Sequence, residues 1–291
     1  MSAALRALLA HGIDYAGLFP PTAWTMSQAV EAYAGYRAGP QAWALGRFVT
    51  PVARLPEFLE ARSAFPSAAW PLAVLPGPAI ESDYAAVEAF DAVHGAFAQV
   101  TAFEARAQTV EEITRVAAAF GARRALFIEL PVVHDPSALI AAVGAAGASA
   151  KIRTGGVTPE AIPSAAQVAR FLAVCAAAGV ACKATAGLHH PVRGEYALTY
   201  ATDAPRGTLF GFTNVLAAAI AARAGTPEAE LVALLEERDP RAWQWSDDGL
   251  RWRDHHWTTA AITAARTGFI GAFGSCSFLE PFDDLSQIGW H

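Results

Sequence analysis

The sequence predicts an α/β fold, a (β/α)8 or TIM barrel with an insertion, from three observations. Short β-branched or aromatic runs alternate with alanine-rich helical stretches along the chain. Seven strand–helix units follow one another in series, which indicates parallel strands joined by crossovers. An eighth strand comes after a delay, and 291 residues is the size of an eight-unit barrel. We therefore predict a single domain over residues 1–291.

The individual elements follow from local pattern. The predicted strands are 13–19, 43–50, 70–76, 98–106, 125–131, 149–154, 181–187 and 269–278. Ser, Thr or Pro precedes several helices, as helix starts prefer. The predicted helices are 27–38, 55–64, 82–94, 109–120, 136–147, 164–179, 208–224, 227–237 and 258–267. A doubly wound open sheet is the alternative fold, but it usually has fewer strands and no Gly-x-Gly-x-x-Gly follows the first strand.

Residues 190–257, between strands seven and eight, are predicted to form an insertion or lid region. Besides two helices it contains the segment WQWSDDGLRWRDHHW. Asp-Asp-Gly between alternating aromatic residues indicates a β-hairpin. The tryptophans suggest an exposed apolar surface that something covers, so we assign His255 and His256 to a lid or a subunit contact.

Composition excludes several classes of function. The net charge is −6 without a block of like charges, so a nucleic-acid partner is not expected. The three cysteines lack a metal-type spacing and indicate reduced thiols in a cytoplasmic protein. No uninterrupted apolar run approaches the roughly 20 residues that span a bilayer, so no membrane partner is expected. The excess of alanine and arginine indicates a bacterial genome rich in GC, and a homo-oligomer remains open.

Lys151 and Lys183 are the only lysines, and the remaining basic residues are all arginine. Arginine stays protonated, whereas a lysine amine can lose its proton in a suitable pocket and act as a nucleophile or base. Both lysines lie in predicted strands, six and seven. The alternative is that two ordinary surface lysines survived by chance.

Polar residues late in barrel strands are candidates for the active site, since that site lies at the carboxyl ends of the strands. Glu104 lies late in strand four and Glu129 late in strand five. Either glutamate transfers protons or serves as an ion-pair partner for a buried cation, and the sequence leaves both roles open.

Strands six and seven present their polar residues on one face each. Lys151 shares a face with Arg153, and Lys183 shares one with Thr185, because side chains alternate along a strand. If those faces point into the barrel, the two amines meet. Two ammonium groups in a partly dry pocket repel each other, so we expect at least one lysine pKa to fall.

Three short segments carry a family resemblance. KIRTGG on strand six, KATAGL on strand seven and FGSCSF on strand eight resemble deoxyribose-phosphate aldolase, a class I aldolase barrel. The resemblance implies that Lys151 forms a Schiff base and that Lys183 assists it. Glu104 falls on the strand where the family has an acid/base aspartate. The phosphate-binding loop implied by the resemblance comprises Gly274, Ser275 and Ser277.

The strand-eight loop also has its own chemistry. Its small residues expose backbone N–H groups, and a helix that starts near Pro281 would direct its positive end at a phosphate or carboxylate. The alternative is a tight turn in which Ser277 caps the helix. Cys276 is either a nucleophile or a buried, inert thiol, and the inert thiol is expected because the sequence defines no base beside it.

The segment GLHHPVRG contributes further polar candidates. His189 and His190 would both bind one metal ion only if the loop turns between them. One of the two is expected to hydrogen-bond to substrate or to transfer a proton. Arg193 is expected to contact an anion.

Taken together, the sequence predicts a lyase of class I aldolase type that needs no cofactor and acts on a small carbonyl compound carrying a phosphate or carboxylate. Lys151 would attack the carbonyl, Lys183 would lower the pKa of Lys151, and Arg153 with the strand-eight loop would hold the anion. One alternative is enolisation, isomerisation or hydrolysis assisted by a divalent metal on Glu104 and Glu129, with His189 or His190. Another is a non-catalytic barrel that acts as a binding or assembly partner.

Overall fold

A computed structural model describes residues 1–65, 69–120 and 123–290. Its strands are β1 (Ile13–Tyr15), β2 (Leu45–Pro51), β3 (Trp70–Leu75), β4 (Ala98–Arg106), β5 (Ala125–Glu129), β6 (Ser149–Arg153), β7 (Cys182–Thr185), β8 (Gly194–Ala197), β9 (Arg206–Leu209), β10 (Trp243–Trp245), β11 (Gly249–Trp252), β12 (His255–Thr258) and β13 (Phe273–Ser275). Its α-helices are α1 (Ala3–Leu9), α2 (Met26–Ala38), α3 (Leu55–Arg62), α4 (Ile80–His94), α5 (Val110–Phe120), α6 (Ser137–Ala145), α7 (Ala165–Ala178), α8 (Phe212–Arg223), α9 (Glu228–Glu236), α10 (Thr259–Gly268) and α11 (Glu280–Gln287).

Eight parallel strands close into a barrel, which confirms the predicted (β/α)8 fold. Strands β1 to β7 pair in series, and β13 closes the ring between β7 and β1. Strand β1 ends earlier than predicted, at Tyr15, because the chain then turns and the N–H of Phe19 donates to the carbonyl of Ala16. Strand β13 is likewise shorter than predicted, with only three residues.

Most helices begin and end where local signals place them. Helix α7 shows this best: Ser164 and Gln167 form a reciprocal capping box at its start. Gly179 ends it in the left-handed conformation, with φ of +65°. The apolar face of α7 is buried, including Phe171 and Leu172.

The interior of the barrel divides into an apolar part and an ionic part. Val49, Ala73, Ala102 and Phe127 form a small apolar cluster of their own. Four buried charged residues also lie on the barrel strands, namely Asp14, Glu104, Lys151 and Lys183, and the Lys183 amine lies 5.3 Å from the centre of the Phe127 ring. Barrel interiors are usually filled by branched apolar residues, so buried charge here indicates a functional use.

Residues 190–257 contain two separate β structures. The predicted tryptophan hairpin is present as β10 and β11, and β12 extends it to a three-stranded antiparallel sheet. The antiparallel hairpin of β8 and β9 was not predicted. Its two strands are four residues each, too short for a clear alternation of apolar and polar positions.

The expectation that something covers the apolar surface of the tryptophans is confirmed, and the cover belongs to the same chain. Trp243, Trp252 and Trp257 are buried, because the sheet packs on α1 and α10 of the same chain. His255 is half-buried and contacts Glu230 at 2.7 Å. Helices α1 and α10 therefore cover the apolar face of this sheet.

One stretch of the described residues, Pro159–Ala178, is long and apolar enough by length and composition to cross a bilayer. The expectation from the sequence considered only uninterrupted apolar runs, so it did not include this stretch, which contains polar residues. It consists of α7 and the turn before it, and α7 packs on α8 and α9. A core helix of a barrel passes the same test.

Candidate active site

A cavity of about 360 Å³ opens at the carboxyl ends of the barrel strands. This volume is within the range of pockets for small molecules. Much of its wall is apolar, and the hairpin of β8 and β9 contributes Leu198 and Leu209. Among the described residues, none from β10 to β12 lines it. The charged residues that line it at the strand ends are Glu104, Arg106, Glu129, Lys151 and Arg153.

Lys151 lies at the centre of this charged group. Its amine contacts Glu104 Oε2 at 2.8 Å and Glu129 Oε2 at 3.0 Å. The pairing of parallel strands places these groups together, since Lys151 is in register with Glu129 on β5 and with Lys183 on β7. Lys151 is 5% exposed and lines the cavity, whereas Lys183 does not line it.

Lys183 lies deeper and is 1% exposed. Its amine donates to Glu104 Oε1 at 2.6 Å and to Asp14 Oδ2. Asp14 is completely buried and also accepts the backbone N–H of Arg47 at 2.7 Å. Asp14 was not among the predicted site residues, although a carboxylate in the middle of an apolar strand is a signal that points to it.

The two amines are separated by a carboxylate, so the predicted fall in a lysine pKa is not found at Lys183. Burial alone would lower the pKa of Lys183, but Asp14 and Glu104 outweigh burial and raise it. Burial alone would raise the pKa of Glu104, but the Lys183 and Lys151 ammonium groups lower it to about 2. The expected repulsion between amines is replaced by two bridged ion pairs.

Glu129 forms the outer end of the network. Its Oε1 lies 3.0 Å from the exposed guanidinium of Arg106. Burial would raise the pKa of Glu129, but Lys151 and Arg106 lower it. Both glutamates are thus ion-pair partners in the resting protein.

The glycines of the two lysine motifs shape the mouth of the site. A Cβ atom on Gly155 would lie 2.8 Å from the Cα of Gly187, which has φ of +75°. The Thr154 hydroxyl, just before Gly155, donates to the carbonyls of Thr185 and Ala186 at 3.2 and 2.8 Å. Close approach of the two backbones keeps the ends of β6 and β7 together.

Three polar side chains meet at another part of the cavity wall. Cys276 Sγ lies 3.7 Å from Nε2 of the buried His189. His189 Nδ1 lies 3.4 Å from Glu280 Oε2 and 3.3 Å from Ser275 Oγ. Cys276, His189 and Glu280 all line the cavity. The expectation that Cys276 has no base beside it is wrong, because the loop after β7 brings His189 to it.

The strand-eight loop holds its hydroxyl groups in internal hydrogen bonds. Ser277 Oγ accepts the backbone N–H of Glu280 at 3.3 Å, and Ser275 Oγ donates to the carbonyl of Ser277 at 2.7 Å. Glu280 and Asp283 occupy the first turn of α11, where an anion would otherwise be favoured. The geometry favours the turn interpretation over a phosphate loop, and of the three residues assigned to that loop only Gly274 lines the cavity.

The remaining predicted residues divide between the cavity and its surroundings. Arg153, Thr185 and His190 line the cavity, and His190 Nδ1 contacts Asp284 at 2.6 Å. Arg193 does not line it; its guanidinium lies 4.5 Å from the centre of the Phe210 ring instead. In the described part of the chain, no group of three or more His, Cys, Asp or Glu side chains is arranged to hold a metal ion.

Comparison with known proteins found no match to this chain among family models, curated proteins or solved structures. The barrel is therefore established by the structure itself. The resemblance to the aldolase family receives no support from relatives.

Proposed function

We propose that the protein is a lyase of class I aldolase type that acts on a small carbonyl compound through a Schiff base on Lys151. The observation that carries this proposal is the placement of Lys151 in the cavity wall between Glu104 and Glu129, at 2.8 and 3.0 Å. Lys183 is paired beneath it and does not line the cavity. Lys151 is thus the lysine that a bound carbonyl group can reach.

The first step requires a neutral amine. Lys151 passes its proton to one of the two carboxylates in contact with it, and the amine nitrogen attacks the carbonyl carbon. The carbonyl oxygen takes up two protons and leaves as water, which gives an iminium ion. The positive charge stays between Glu104 and Glu129, where fixed carboxylates stabilise it.

The iminium then accepts the electron pair of the C–C bond that breaks. The pair forms an enamine, and the departing fragment leaves as a second carbonyl compound after its hydroxyl proton passes to a base. Protonation of the enamine carbon and hydrolysis by water return the free amine of Lys151. Glu104 and Glu129 are the residues within reach of the lysine nitrogen that can carry these protons.

Lys183 has a different role in this mechanism from the one that the sequence predicts. With Asp14 and Glu104 it forms a buried group of ion pairs beneath Lys151. It holds Glu104 ionised and in place, so that one carboxylate oxygen remains directed at Lys151. Lys183 is therefore a positioning residue.

Arg153 is the group that we assign to an anionic substituent of the substrate. It follows Lys151 by two residues on β6, so both side chains are on the same face of the strand. Arg153 lies at the mouth of the cavity and is exposed.

The cellular location that we propose is the cytoplasm, since Cys175, Cys182 and Cys276 are all free thiols.

The test is reductive trapping. Borohydride is added to the protein with a panel of small aldehydes, ketones and 2-oxo acids, and the intact mass is measured. We expect a mass increase equal to one reduced adduct, and its loss in Lys151→Met. An active preparation that gives no adduct with the compound it converts would contradict the proposal. If chelation abolishes activity and borohydride traps no adduct, the metal-assisted alternative is favoured instead.

A further inference from the structure

The group of Cys276, His189 and Glu280 takes no part in the proposed Schiff-base chemistry. The three side chains come from separate places, the loop after β13, the loop after β7 and the start of α11, and converge on one cavity. A thiol in contact with an imidazole, with a carboxylate against the same ring, is the arrangement of an activated nucleophile. Cys276 is 5% exposed, and the cavity is its route to small molecules.

We propose that Cys276 and His189 form a thiolate–imidazolium pair in the cavity wall, and that Cys276 is a site of covalent modification by small, uncharged carbon electrophiles that enter the cavity. In this step the thiolate sulfur attacks the electrophilic carbon and an S–C bond forms. With an alkyl iodide the C–I bond breaks and iodide leaves with its electron pair. His189 keeps its proton throughout.

The electrostatics of the pair agree with this geometry. Burial would raise the pKa of the Cys276 thiol, but the contact with His189 outweighs burial and lowers it. Burial would lower the pKa of His189, but Cys276 and Glu280 raise it. Other titratable groups surround the pair: Tyr200 donates to Glu280 Oε2 at 3.0 Å, Tyr15 on β1 interacts electrostatically with Cys276, and the His190 ring centre lies 6.3 Å from that of His189.

The other two cysteines serve as internal controls. Cys175 and Cys182 are buried at 0% and 1% exposure, and neither lines the cavity. Burial and the neighbouring Cys182 raise the pKa of Cys175. We therefore expect Cys276 alone to react in the folded protein.

The experiment is alkylation of the intact protein with iodoacetamide, with the modified cysteine identified by peptide mass spectrometry. The rate is measured at pH about 6.5 and about 9, since the ratio of the two rates cancels differences in access. A thiol with the usual pKa near 8.5 gives a ratio of roughly one eightieth. We expect Cys276 to give a ratio of about one tenth or higher.

Two variants separate the pair from its surroundings. His189→Asn should lower the ratio to roughly one eightieth or less, as expected when the thiol returns to its usual pKa. Asp284→Asn removes the partner of His190 instead and should leave the ratio unchanged. If His189→Asn does not fold, the ratio and the modified position in the unaltered protein still decide the question.

A ratio near one eightieth in the unaltered protein, no label on Cys276, or equal labelling of Cys175 and Cys182 would overturn the proposal. These readouts measure thiol chemistry and require no lyase activity. The inference therefore stands or fails independently of the proposed function.

Discussion

At the scale of single residues, the site is an alternating series of buried charges. Lys151 lies between Glu129 and Glu104, and Lys183 lies between Glu104 and Asp14. Each carboxylate oxygen that turns toward a lysine compensates an ammonium that has lost its water. Removal of one carboxylate would break a buried ion pair and leave the adjoining lysine with one partner instead of two; breaking a buried ion pair costs about 3–5 kcal/mol.

Glu104 is the residue on which both lysines depend. Because its pKa falls from a usual value of about 4.3 to about 2 on folding, its ionised form favours the folded state. This contribution is complete above pH about 4.3 and is lost as the pH falls toward 2. We expect Glu104→Gln to lower the free energy of unfolding by about 3–5 kcal/mol near pH 7, and by less near pH 3.

Urea denaturation at the two pH values measures this effect. Glu31→Gln, which removes an exposed carboxylate on α2, is the matched control and should change stability by less than about 0.5 kcal/mol at either pH. An equal loss for Glu104→Gln at both pH values would contradict the ionised, bridging role of Glu104.

The sequence predicted part of this residue-level arrangement. Glu104, Glu129 and Lys151 were identified because they end neighbouring strands, and a parallel barrel brings strand ends together. The partnership of Cys276 and His189 could not be predicted, since 87 residues separate them and the loop that joins them in space has no periodic pattern. The ion pair of Lys183 with Asp14 depends on how deep each side chain lies in the barrel. The alternation of side chains along a strand predicts the face on which a residue lies, but not its depth.

At the scale of elements, glycines after β6 and β7 allow the two backbones to approach each other closely. Gly187→Ala is expected to lower the free energy of unfolding by about 1–3 kcal/mol, because its φ of +75° disfavours a side chain and the added Cβ would lie 3.0 Å from the Cα of Gly155. Gly35→Ala is the matched control: this glycine lies within α2 with no atom near the added Cβ. That change should stabilise the protein by about 0.5–1 kcal/mol.

Thermal unfolding of both variants distinguishes strain from a general effect of alanine. If Gly187→Ala is as stable as the unaltered protein, the backbone contact between the two motifs is not a constraint. The glycines of the two motifs would then require another explanation.

The bounds of strands and helices were easier to predict than the elements that pack against them. The strands and helices of the barrel follow from local periodicity and capping, so their predicted and observed bounds agree closely along most of the chain. The tryptophan hairpin was also found, but not what covers it. Its apolar face packs on α1, and the backbone N–H of Ala3 donates a hydrogen bond to Asp247. The two residues are 244 positions apart in the sequence, and local sequence pattern carries no information over that separation.

At the scale of the whole molecule, the ionic interior joins strands that meet where the barrel closes. Strands β1 and β13 are only three residues each, so their backbone pairing contributes few hydrogen bonds. The pair of Asp14 and Lys183 connects β1 with β7 through the interior, on either side of β13. We infer that this ion pair helps to hold the barrel closed.

Asp14→Asn tests that role. It removes one of two carboxylates from Lys183 and should lower the free energy of unfolding by about 3 kcal/mol. Urea denaturation measures it, and Asp135→Asn, an exposed carboxylate near α6, should have an effect below about 0.5 kcal/mol. A loss for Asp14→Asn no larger than that of the control would show that barrel closure does not depend on the buried pair.

The position of the trapped adduct decides which amine, if any, forms the proposed Schiff base. The chain offers only Lys151, Lys183 and the α-amino group as primary amines, so peptide mapping after borohydride reduction with a converted carbonyl compound can resolve all three. We expect the adduct on Lys151 and none on Lys183. An adduct on Lys183, or on the α-amino group alone, would contradict this expectation.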